Sequence, residues 1–405
     1  MKIITFLIII FSSNLYAQYY EVLPKGVRTF VFRNIQANSE SSYNQTKKES
    51  AYSYHLDTNI NNLKEIEIST IQEALALLEP YPEAYNKISF GAHYFKASAD
   101  LNVDAYGIGY GLTKNTTVYM GFPIYQAEVK FNYKRTKGSS INEVAEALQR
   151  ETDDDYAQTL GNIIEQIYDI DGGVIQSALV NEFNYKELGN WRGEGIGDIE
   201  LGLMHKLQHT KNYGLKLSLG VVLPTGRVDD PDILQDIGFG DGQLDAFLEF
   251  GGSYHINSKN IISSWIRYTH QFANKKELRV LEYKDFALAS NKDEFEEKLG
   301  DMIDIAFIYD YSVTDWLNLQ PALLSNFTQK AKYKSEHEVA NELLAENTES
   351  QDLSARITAN ISTVKLYKQK KFLLPGQLNF SYQTTLEGQN VPKVNRSELE
   401  FVMFF

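Results

Sequence analysis

Hydrophobic and polar residues alternate with a period of two in many short segments of this chain. From Gln243 to Ile256, the even positions are apolar or glycine and the odd positions are mostly polar. Residues 213–223 and 353–361 repeat the pattern, with an apolar side chain at every second position. A period of two places successive side chains on opposite faces of a strand, whereas a helix repeats every 3.6 residues. The pattern therefore predicts an all-β protein whose strands have one apolar and one polar face.

Short and long connections alternate between the predicted strands. The short turns lie at residues 114–115, 208–212, 257–260, 313–315 and 368–371. The long connections lie at residues 38–96, 136–195, 227–240, 273–298, 333–351 and 388–394. Outer-membrane barrels have short periplasmic turns and long outer loops. We therefore predict a single-domain, transmembrane, up-and-down antiparallel β-barrel over residues 18–405, with about twelve strands. A further hairpin around Ala51–Leu56 would raise the number to about fourteen.

One predicted strand, Thr117–Tyr133, changes the phase of its alternation. Its apolar residues occupy even positions up to Ile124 and odd positions from Tyr125 onward. Such a change indicates either a β-bulge or the position where the strand leaves the membrane. Pro123 lies at the change, where a missing backbone N–H is best tolerated.

Two of the long outer connections have helical periodicity instead. The apolar positions that recur at helical spacing are Ile71, Ala74, Leu75 and Leu78 in the first connection, and Ile141, Val144, Ala145, Leu148, Tyr156, Leu160, Ile163, Ile164 and Ile167 in the second. These helices either pack on the mouth of the barrel or cover and line an entrance, because an apolar stripe must be buried in both cases.

The N-terminus has the pattern of a secretory signal peptide. Met1 and Lys2 precede the apolar run Ile3–Phe11, and a cleavage site is predicted after Ala17, before Gln18. The absence of a cysteine after this site excludes a lipid-anchored lipoprotein. After the leader, no stretch reaches the roughly 18–20 apolar residues of a transmembrane helix, so a closed barrel is the predicted way to span a membrane.

Composition and the C-terminus agree with an outer-membrane barrel. The chain has 26 Tyr, 22 Phe and no Cys, and strands with one lipid-facing side are rich in aromatic residues. Its net charge of −14 argues against a nucleic-acid partner, because phosphates require a basic surface. The last strand ends in Phe405 and resembles the closing strand of outer-membrane barrels. The expected partners are therefore outer-membrane lipid and the barrel-assembly machinery, which would recognise Phe405.

Two hairpins resemble one family of barrels. The first runs from the glycine-rich segment Gly193–Gly202 to Leu223-Pro224-Thr225-Gly226, and the second joins Tyr110–Asn115 to Gly121-Phe122-Pro123. This region, Tyr106–Tyr254, resembles outer-membrane proteins assigned to meta-pathway phenol degradation, relatives of the fatty-acid-transporter barrels. The resemblance implies passive uptake of small, often hydrophobic compounds. The Asn-Pro-Ala hatch motif of the fatty-acid transporters is missing, and Gln18–Gly26 is too short for a sizeable plug.

Candidate chemistry elsewhere is weak, and we predict no catalytic, cofactor-binding or metal site. The glycines at 107–111 and 193–197 lack the spacing of a phosphate-binding loop. His270 resembles the histidine of outer-membrane phospholipases, but no serine follows at the expected place, so a lipid hydrolase is the weakest hypothesis. Five aspartates crowd one outer loop (Asp229, Asp230, Asp232, Asp236 and Asp241), which is either a solvated acidic loop or a calcium site that lacks EF-hand spacing.

The polar faces of the strands supply the candidate residues of the barrel interior. These lumen-lining candidates are Asp198, Glu200, Lys216, Asp245, Glu249, Arg267, Asp304, Asn318, Gln320, Arg356 and Asn360. They either pair across the strands and fill the barrel or line a narrow path for a small solute. Their mixed charge argues against strong ion selectivity. The leading hypothesis is a passive channel for small, hydrophobic molecules, and the alternative is a structural or surface-interaction barrel without transport.

Overall fold

The computed structural model describes residues 19–64, 69–151, 153–165, 172–284 and 288–405. The predicted leader, Met1–Ala17, lies outside the described residues. The strands are β1 Arg28–Tyr43, β2 Glu49–Ala51, β3 Ser53–Asn59, β4 Ser89–Gly111, β5 Thr116–Lys137, β6 Trp191–Ile196, β7 Ile199–His209, β8 Tyr213–Leu223, β9 Asp245–His255, β10 Asn260–Gln271, β11 Asn274–Arg279, β12 Lys292–Lys298, β13 Met302–Ser312, β14 Leu317–Thr328, β15 Lys332–Lys334, β16 Ser350–Ser362, β17 Gly376–Gln389 and β18 Val391–Phe404. The helices are α1 Ile60–Lys64, α2 Ser69–Leu78, α3 Pro82–Lys87, α4 Ile141–Gln149, α5 Asp155–Glu165, α6 Gly172–Asn181, α7 Glu338–Ala345 and α8 Val364–Lys368.

Twelve strands form a closed antiparallel barrel. Their order around it is β1, β4, β5, β7, β8, β9, β10, β13, β14, β16, β17 and β18. The first strand closes the barrel, because it pairs on one side with β18 (Thr29 opposite Phe404) and on the other with β4 (Thr29 opposite Gly109). The predicted transmembrane up-and-down barrel of about twelve strands is confirmed.

The additional hairpin around Ala51–Leu56 does not add strands to the barrel. Strands do form there, since β2 pairs with the outer end of β1 and β3 pairs with the outer end of β4. They lengthen the wall above the membrane, so the alternative of fourteen strands is wrong. The barrel strands also extend further than predicted: β1 runs to Tyr43 and β4 begins at Ser89.

The outer surface of the barrel carries a broad apolar band. Leu248 on β9, Phe307 on β13 and Ile357 on β16 are about half exposed, with 51%, 50% and 47% of their residue surface accessible. The charged neighbours of Leu248 and Ile357 in sequence, Glu249 and Arg356, point inward. An exposed band of this size matches a lipid-facing surface.

The phase change in β5 marks the position where the strand leaves the membrane. The pairing of β5 with β4 continues without a shift from Thr117 to Arg135, so there is no bulge at Pro123. The inward-facing positions are odd throughout, but above Pro123 the outward-facing positions become polar (Gln126, Glu128 and Lys130). Apolar side chains above this point therefore face the interior, and the exit from the membrane explains the pattern.

Strands β6 and β7 are two parts of one interrupted strand. The upper part of β5 pairs with β6 (Ile124 opposite Ile196), and the lower part pairs with β7 (Gly121 opposite Glu200). Gly197 and Asp198 lie at the interruption, where the Gly197 N–H donates to the Pro123 carbonyl at 2.9 Å. The interruption leaves β6 without a second strand neighbour, and residues 224–244 pack beside it instead.

The predicted outer helices are present and bury their apolar stripes mainly against one another. Leu75 and Leu78 of α2 and Ile141, Val144, Ala145 and Leu148 of α4 join one core with Ile164 of α5. Tyr156 and Ile163 of α5 point away from this core and are more than half exposed. Ile167 lies outside the described residues. Among the residues that the structure describes, no helix is long and apolar enough to cross a membrane.

Candidate functional site in the barrel interior

One side of the interior, formed by β4 and β5, has no charged inward-facing side chain between Ala99 and Gly111 or between Thr117 and Val129. The inward-facing residues of β4 are Ala99, Leu101, Val103, Ala105, Gly107, Gly109 and Gly111. Those of β5 are Thr117, Tyr119, Gly121, Pro123, Tyr125, Ala127 and Val129. The β4 side chains shorten toward the periplasmic turn, from leucine through valine and alanine to glycine. We call this surface the apolar side.

A loop segment fills the outer end of the apolar side. Ile237 and Phe239, from the loop 224–244, are buried in one cluster with Val103, Ala105 and Tyr125. The rings of Phe239 and Tyr125 are parallel within 3°, with centroids 5.2 Å apart. Burial of a phenylalanine side chain contributes about 1.5–3 kcal/mol, so this insertion favours a closed outer mouth.

Four of the five aspartates predicted for this loop are ion-paired with basic residues, and the fifth, Asp241, accepts hydrogen bonds from the Gln243 N–H and the Gln271 side chain. Nearly every pair joins the loop to another element: Asp229 with Lys276 on β11 at 2.7 Å, Asp230 with Lys186 at 2.7 Å, and Asp232 with Lys292 on β12 at 3.0 Å. Asp236 binds Arg227 within the loop. Because basic side chains already neutralise these carboxylates, the loop is poorly suited to calcium binding. The ion pairs also anchor the loop to neighbouring elements, so it is not simply a solvated acidic loop.

Arg279 at the end of β11 is the centre of this anchoring. Its side chain is 6% exposed, and it forms an ion pair with Asp232. Its guanidinium donates to the carbonyls of Pro231, Phe183, Asn184, Ala289 and Ser290 at 2.8–3.1 Å. Three outer connections therefore converge on one buried cation.

The adjoining side of the interior, formed by strands β7 to β10, holds a buried network of charges. Arg267 on β10 donates through Nε to Glu249 at 3.0 Å and through a terminal nitrogen to Glu200 at 3.3 Å. Lys216 lies 3.9 Å from Glu249, and the Tyr119 hydroxyl donates to Glu200 at 2.6 Å. Two carboxylates thus meet two cations within a sealed environment, and we call this surface the charged side.

A second buried network joins the first and last strands. Arg33 on β1 contacts Glu398 at 3.1 Å and donates through Nε to Glu400 at 2.8 Å. Arg356 and Arg396 also pair with Glu398. The sequence analysis identified Arg356 but not the other members. The alternation of Glu398 and Glu400 with Leu399 and Phe401 is the signal that would have found them.

The remaining predicted interior residues are distributed along the barrel. Asp245, Asp304, Gln320 and Asn360 are buried, and Asn318 is half-buried. Asn360 binds Asn379, and Gln320 donates to Asp310. Asp198 lies at the interruption between β6 and β7, where its carboxylate accepts from the Gly226 N–H at 2.8 Å. Asp198 therefore anchors the loop 224–244 through this hydrogen bond.

A short N-terminal segment fills the periplasmic end of the interior. Tyr19, Tyr20, Val22 and Leu23 are all buried, with Leu23 fully so. The Tyr19 hydroxyl donates to Glu249 on the charged side. The Leu23 N–H donates to the Thr117 hydroxyl on the apolar side at 2.7 Å, and the Leu23 side chain packs with Val31, Met204 and Val402. Gln18–Gly26 is short for a sizeable plug, yet the described part of this segment contacts both sides of the interior.

The interior near Tyr119 is too narrow for a solute in this conformation. The cavity there has a volume of about 20 Å3, and its lining includes apolar residues and the ion-paired Arg33 and Glu400. A space of roughly that size holds about one water molecule. Passage of a larger molecule therefore requires movement of the N-terminal segment or of the loop 224–244.

The structure offers little support for hydrolysis at His270. Its Nδ1 lies 3.1 Å from the Asp301 carboxylate, which also accepts from the Tyr268 hydroxyl at 2.6 Å. Among the described residues, no serine hydroxyl hydrogen-bonds to the His270 ring, and nucleophilic hydrolysis would need one. A separate group of potential ligands, Asp293, Glu336 and His337, was not predicted and lies in the outer connections.

Comparison with solved structures defines the class of fold. The crystal structure of an outer membrane channel from Pseudomonas putida F1 aligns with a TM-score of 0.54 and 15% identity, over 95% of this chain and 98% of that one. This chain therefore has the fold of an outer membrane channel.

Two further structures also align. The Ralstonia pickettii toluene transporter TbuX aligns at a TM-score of 0.36 and 9% identity, over 95% of this chain and 90% of that one. The translocator domain of autotransporter NalP from Neisseria meningitidis aligns at 0.38 and 9%, with the same coverages. No family model matches the sequence, and no curated protein matches it.

Proposed function

We propose that this protein is a passive outer-membrane channel for small hydrophobic molecules, which move along the apolar side of the interior. The observation that carries the proposal is the inner face of β4 and β5, which presents no charged side chain between Ala99 and Gly111 or between Thr117 and Val129. Transfer of an apolar solute from water to such a surface is favourable by about 25 cal/mol per Å2 of buried apolar area.

The charged side is unsuited to transport of ions or sugars. Arg267, Glu200, Glu249 and Lys216 are paired with one another and sealed from solvent. A mobile ion would have to replace these partners, and separation of a buried ion pair costs about 3–5 kcal/mol. We therefore interpret the charged side as a wall that keeps polar solutes out of the barrel.

Localisation and assembly follow from the same proposal. The apolar outer band and the shared fold support a place in the outer membrane. Cleavage after Ala17 and recognition of Phe405 by the assembly machinery remain predictions from the sequence. Phe405 lies exposed beside the first strand, where its N–H donates to the Arg28 carbonyl at 3.0 Å.

Uptake of a hydrophobic dye by intact cells tests the proposal. The dye N-phenyl-1-naphthylamine becomes fluorescent once it passes the lipopolysaccharide layer, so cells that contain the channel will show faster uptake than cells without it. Val103→Asn places an amide on the apolar side and is expected to slow uptake roughly fivefold or more, because an unpaired buried polar group costs about 1–3 kcal/mol.

Thr358→Asn is the matched control. Thr358 is a β-branched, buried residue on β16, away from the apolar side, and we expect its substitution to leave uptake unchanged. Heat-dependent gel migration checks that both variants form barrels. Equal uptake by cells with and without the protein would overturn the proposal and favour a structural or surface-interaction barrel.

A further inference from the structure

The Phe239 ring lies in a narrow slot. Tyr125 forms one wall, with its ring parallel to that of Phe239. A second wall is the backbone of β6 and the residue that follows it, where every second position is glycine: Gly193, Gly195 and Gly197. A Cβ atom on Gly195 would lie 3.2 Å from the Phe239 ring. The glycines therefore keep this wall flat.

The neighbouring glycines are equally constrained. A Cβ on Gly193 would lie 2.5 Å from the Trp191 ring, and one on Gly197 would lie 2.3 Å from the Tyr125 ring. The segment 193–197 lacks phosphate-loop spacing, and these contacts account for its glycines as the wall of an aromatic slot.

A fixed cation lies beside the slot. The Arg227 guanidinium is 4.8 Å from the centroid of the Phe239 ring and 5.5 Å from that of Trp191. Two hydrogen bonds of 2.7 Å to the Asp236 carboxylate hold it there. A cation over a ring face attracts the π electrons of an aromatic ring and gains no such attraction from a saturated ring.

We propose that this slot is a binding site for a flat aromatic solute, and that the chain's own Phe239 occupies it when the channel is empty. The proposal rests on the proposed function, because it places an aromatic subsite at the outer end of the apolar side. A solute would replace Phe239 between Tyr125 and β6, stack on Tyr125 and lie beside Arg227. Binding would then withdraw Phe239 from the outer mouth, so that occupancy and opening are coupled.

Titration of the purified, full-length barrel in detergent tests the site. The protein is labelled with 5-fluorotryptophan, and the 19F signal of Trp191 among the three tryptophans is assigned through Trp191→Phe. The probes are benzyl alcohol and its saturated counterpart, cyclohexylmethanol. In Phe239→Ala we expect saturable shifts of the Trp191 signal, with affinity about tenfold higher for benzyl alcohol because it alone stacks and binds the cation.

The wild-type protein and two variants complete the test. Wild type should bind benzyl alcohol about tenfold more weakly than Phe239→Ala, because the solute must first displace Phe239. Arg227→Met in the Phe239→Ala background should reduce the preference for benzyl alcohol. Phe272→Ala, at an exposed aromatic outside the loop 224–244, should behave as wild type. Phe239→Leu replaces Phe239→Ala if the latter does not fold.

The two proposals fail in distinguishable ways. Equal affinity of Phe239→Ala for the two alcohols, or equal affinity of wild type and Phe239→Ala for benzyl alcohol, would overturn the aromatic site. Dye uptake that depends on Val103 would still support a channel for hydrophobic molecules in general. If cells with the protein take up dye no faster than cells without it, but the protein still binds benzyl alcohol, the aromatic site is supported and transport is overturned.

Discussion

The two sides of the barrel interior are stabilised in different ways. On the charged side, Arg267 and its carboxylate partners are held by direct side-chain contacts among the barrel strands β7, β9 and β10. On the apolar side, the strands contribute small residues, and much of the filling comes from two segments outside the barrel: Tyr19–Leu23 and the loop 224–244. The charged side is therefore formed by the barrel strands themselves. The two segments that fill the apolar side can move away without disrupting the β-sheet.

The largest expected effect comes from breaking the charged side. Arg267→Met removes the cation that pairs with both Glu200 and Glu249 and should lower the free energy of unfolding by about 3–5 kcal/mol. Denaturant unfolding in detergent, followed by tryptophan fluorescence, measures the loss. Arg192→Met is the control, because Arg192 is 79% exposed and pairs with Glu128 at the surface. Its loss should be about 1 kcal/mol or less, and an equal effect of both variants would contradict the comparison.

The N-terminal segment allows its two contacts to be broken separately. Leu23→Ala removes packing on the apolar side and should cost about 2–5 kcal/mol of local stability, with faster dye uptake as the result. Tyr19→Phe removes the hydroxyl bound to Glu249 on the charged side and should leave uptake nearly unchanged. Faster uptake from Tyr19→Phe than from Leu23→Ala would show that solutes follow the charged side instead.

The anchoring of the outer loop gives a somewhat smaller effect. Arg279→Ala removes the hydrogen bonds that this buried cation donates and should destabilise the loop locally by a net of about 1.5–3 kcal/mol. Hydrogen exchange should increase at the Phe239 amide, which donates to the Arg227 carbonyl. Lys292→Ala removes a more exposed partner of Asp232 and should change the exchange rate much less. Equal exchange in Arg279→Ala and wild type would exclude Arg279 as the anchor.

The smallest effect is expected from pH. A hydrogen bond from Lys186 lowers the pKa of Asp230 below its ordinary value of 3.8. A lowered pKa stabilises the loop at pH values above 3.8, and this contribution is lost as the pH falls through the folded-state value. The protection factors of amides around Asp230, corrected for the pH dependence of intrinsic exchange, should therefore fall only in acid below the ordinary carboxyl value of 3.8. A transition near neutral pH would show that another group controls the loop.

The barrel itself could be predicted from the sequence because strands that cross a lipid bilayer must place apolar residues at every second position. Where Leu248 faces lipid and Glu249 faces a polar interior, the alternation is unambiguous. The expectation that apolar residues face outward fails on β4 and β5, where Val103 and Tyr125 are apolar yet face inward. Those strands continue beyond the membrane, so the side that needs apolar residues changes at Pro123.

The closure of the interior depends on contacts between residues far apart in the chain. Phe239 contacts Tyr125, and Tyr19 contacts Glu249, and no local pattern predicts either pair. A weak signal existed in the segment Ile237-Gly238-Phe239-Gly240, since two large apolar residues lie within an otherwise acidic loop. Its inward insertion follows from the interruption at Gly197 and Asp198, which only the folded sheet reveals.

Cysteine labelling tests the route of the solute most directly. The chain contains no cysteine, so Ala105→Cys on the apolar side and Ser218→Cys on the charged side each introduce a unique thiol. Both positions are buried to a similar degree. Intact cells are treated with N-phenylmaleimide, and modification is followed by mass spectrometry. We predict that Ala105→Cys reacts several-fold faster than Ser218→Cys, whereas equal or faster reaction of Ser218→Cys would contradict a route along the apolar side.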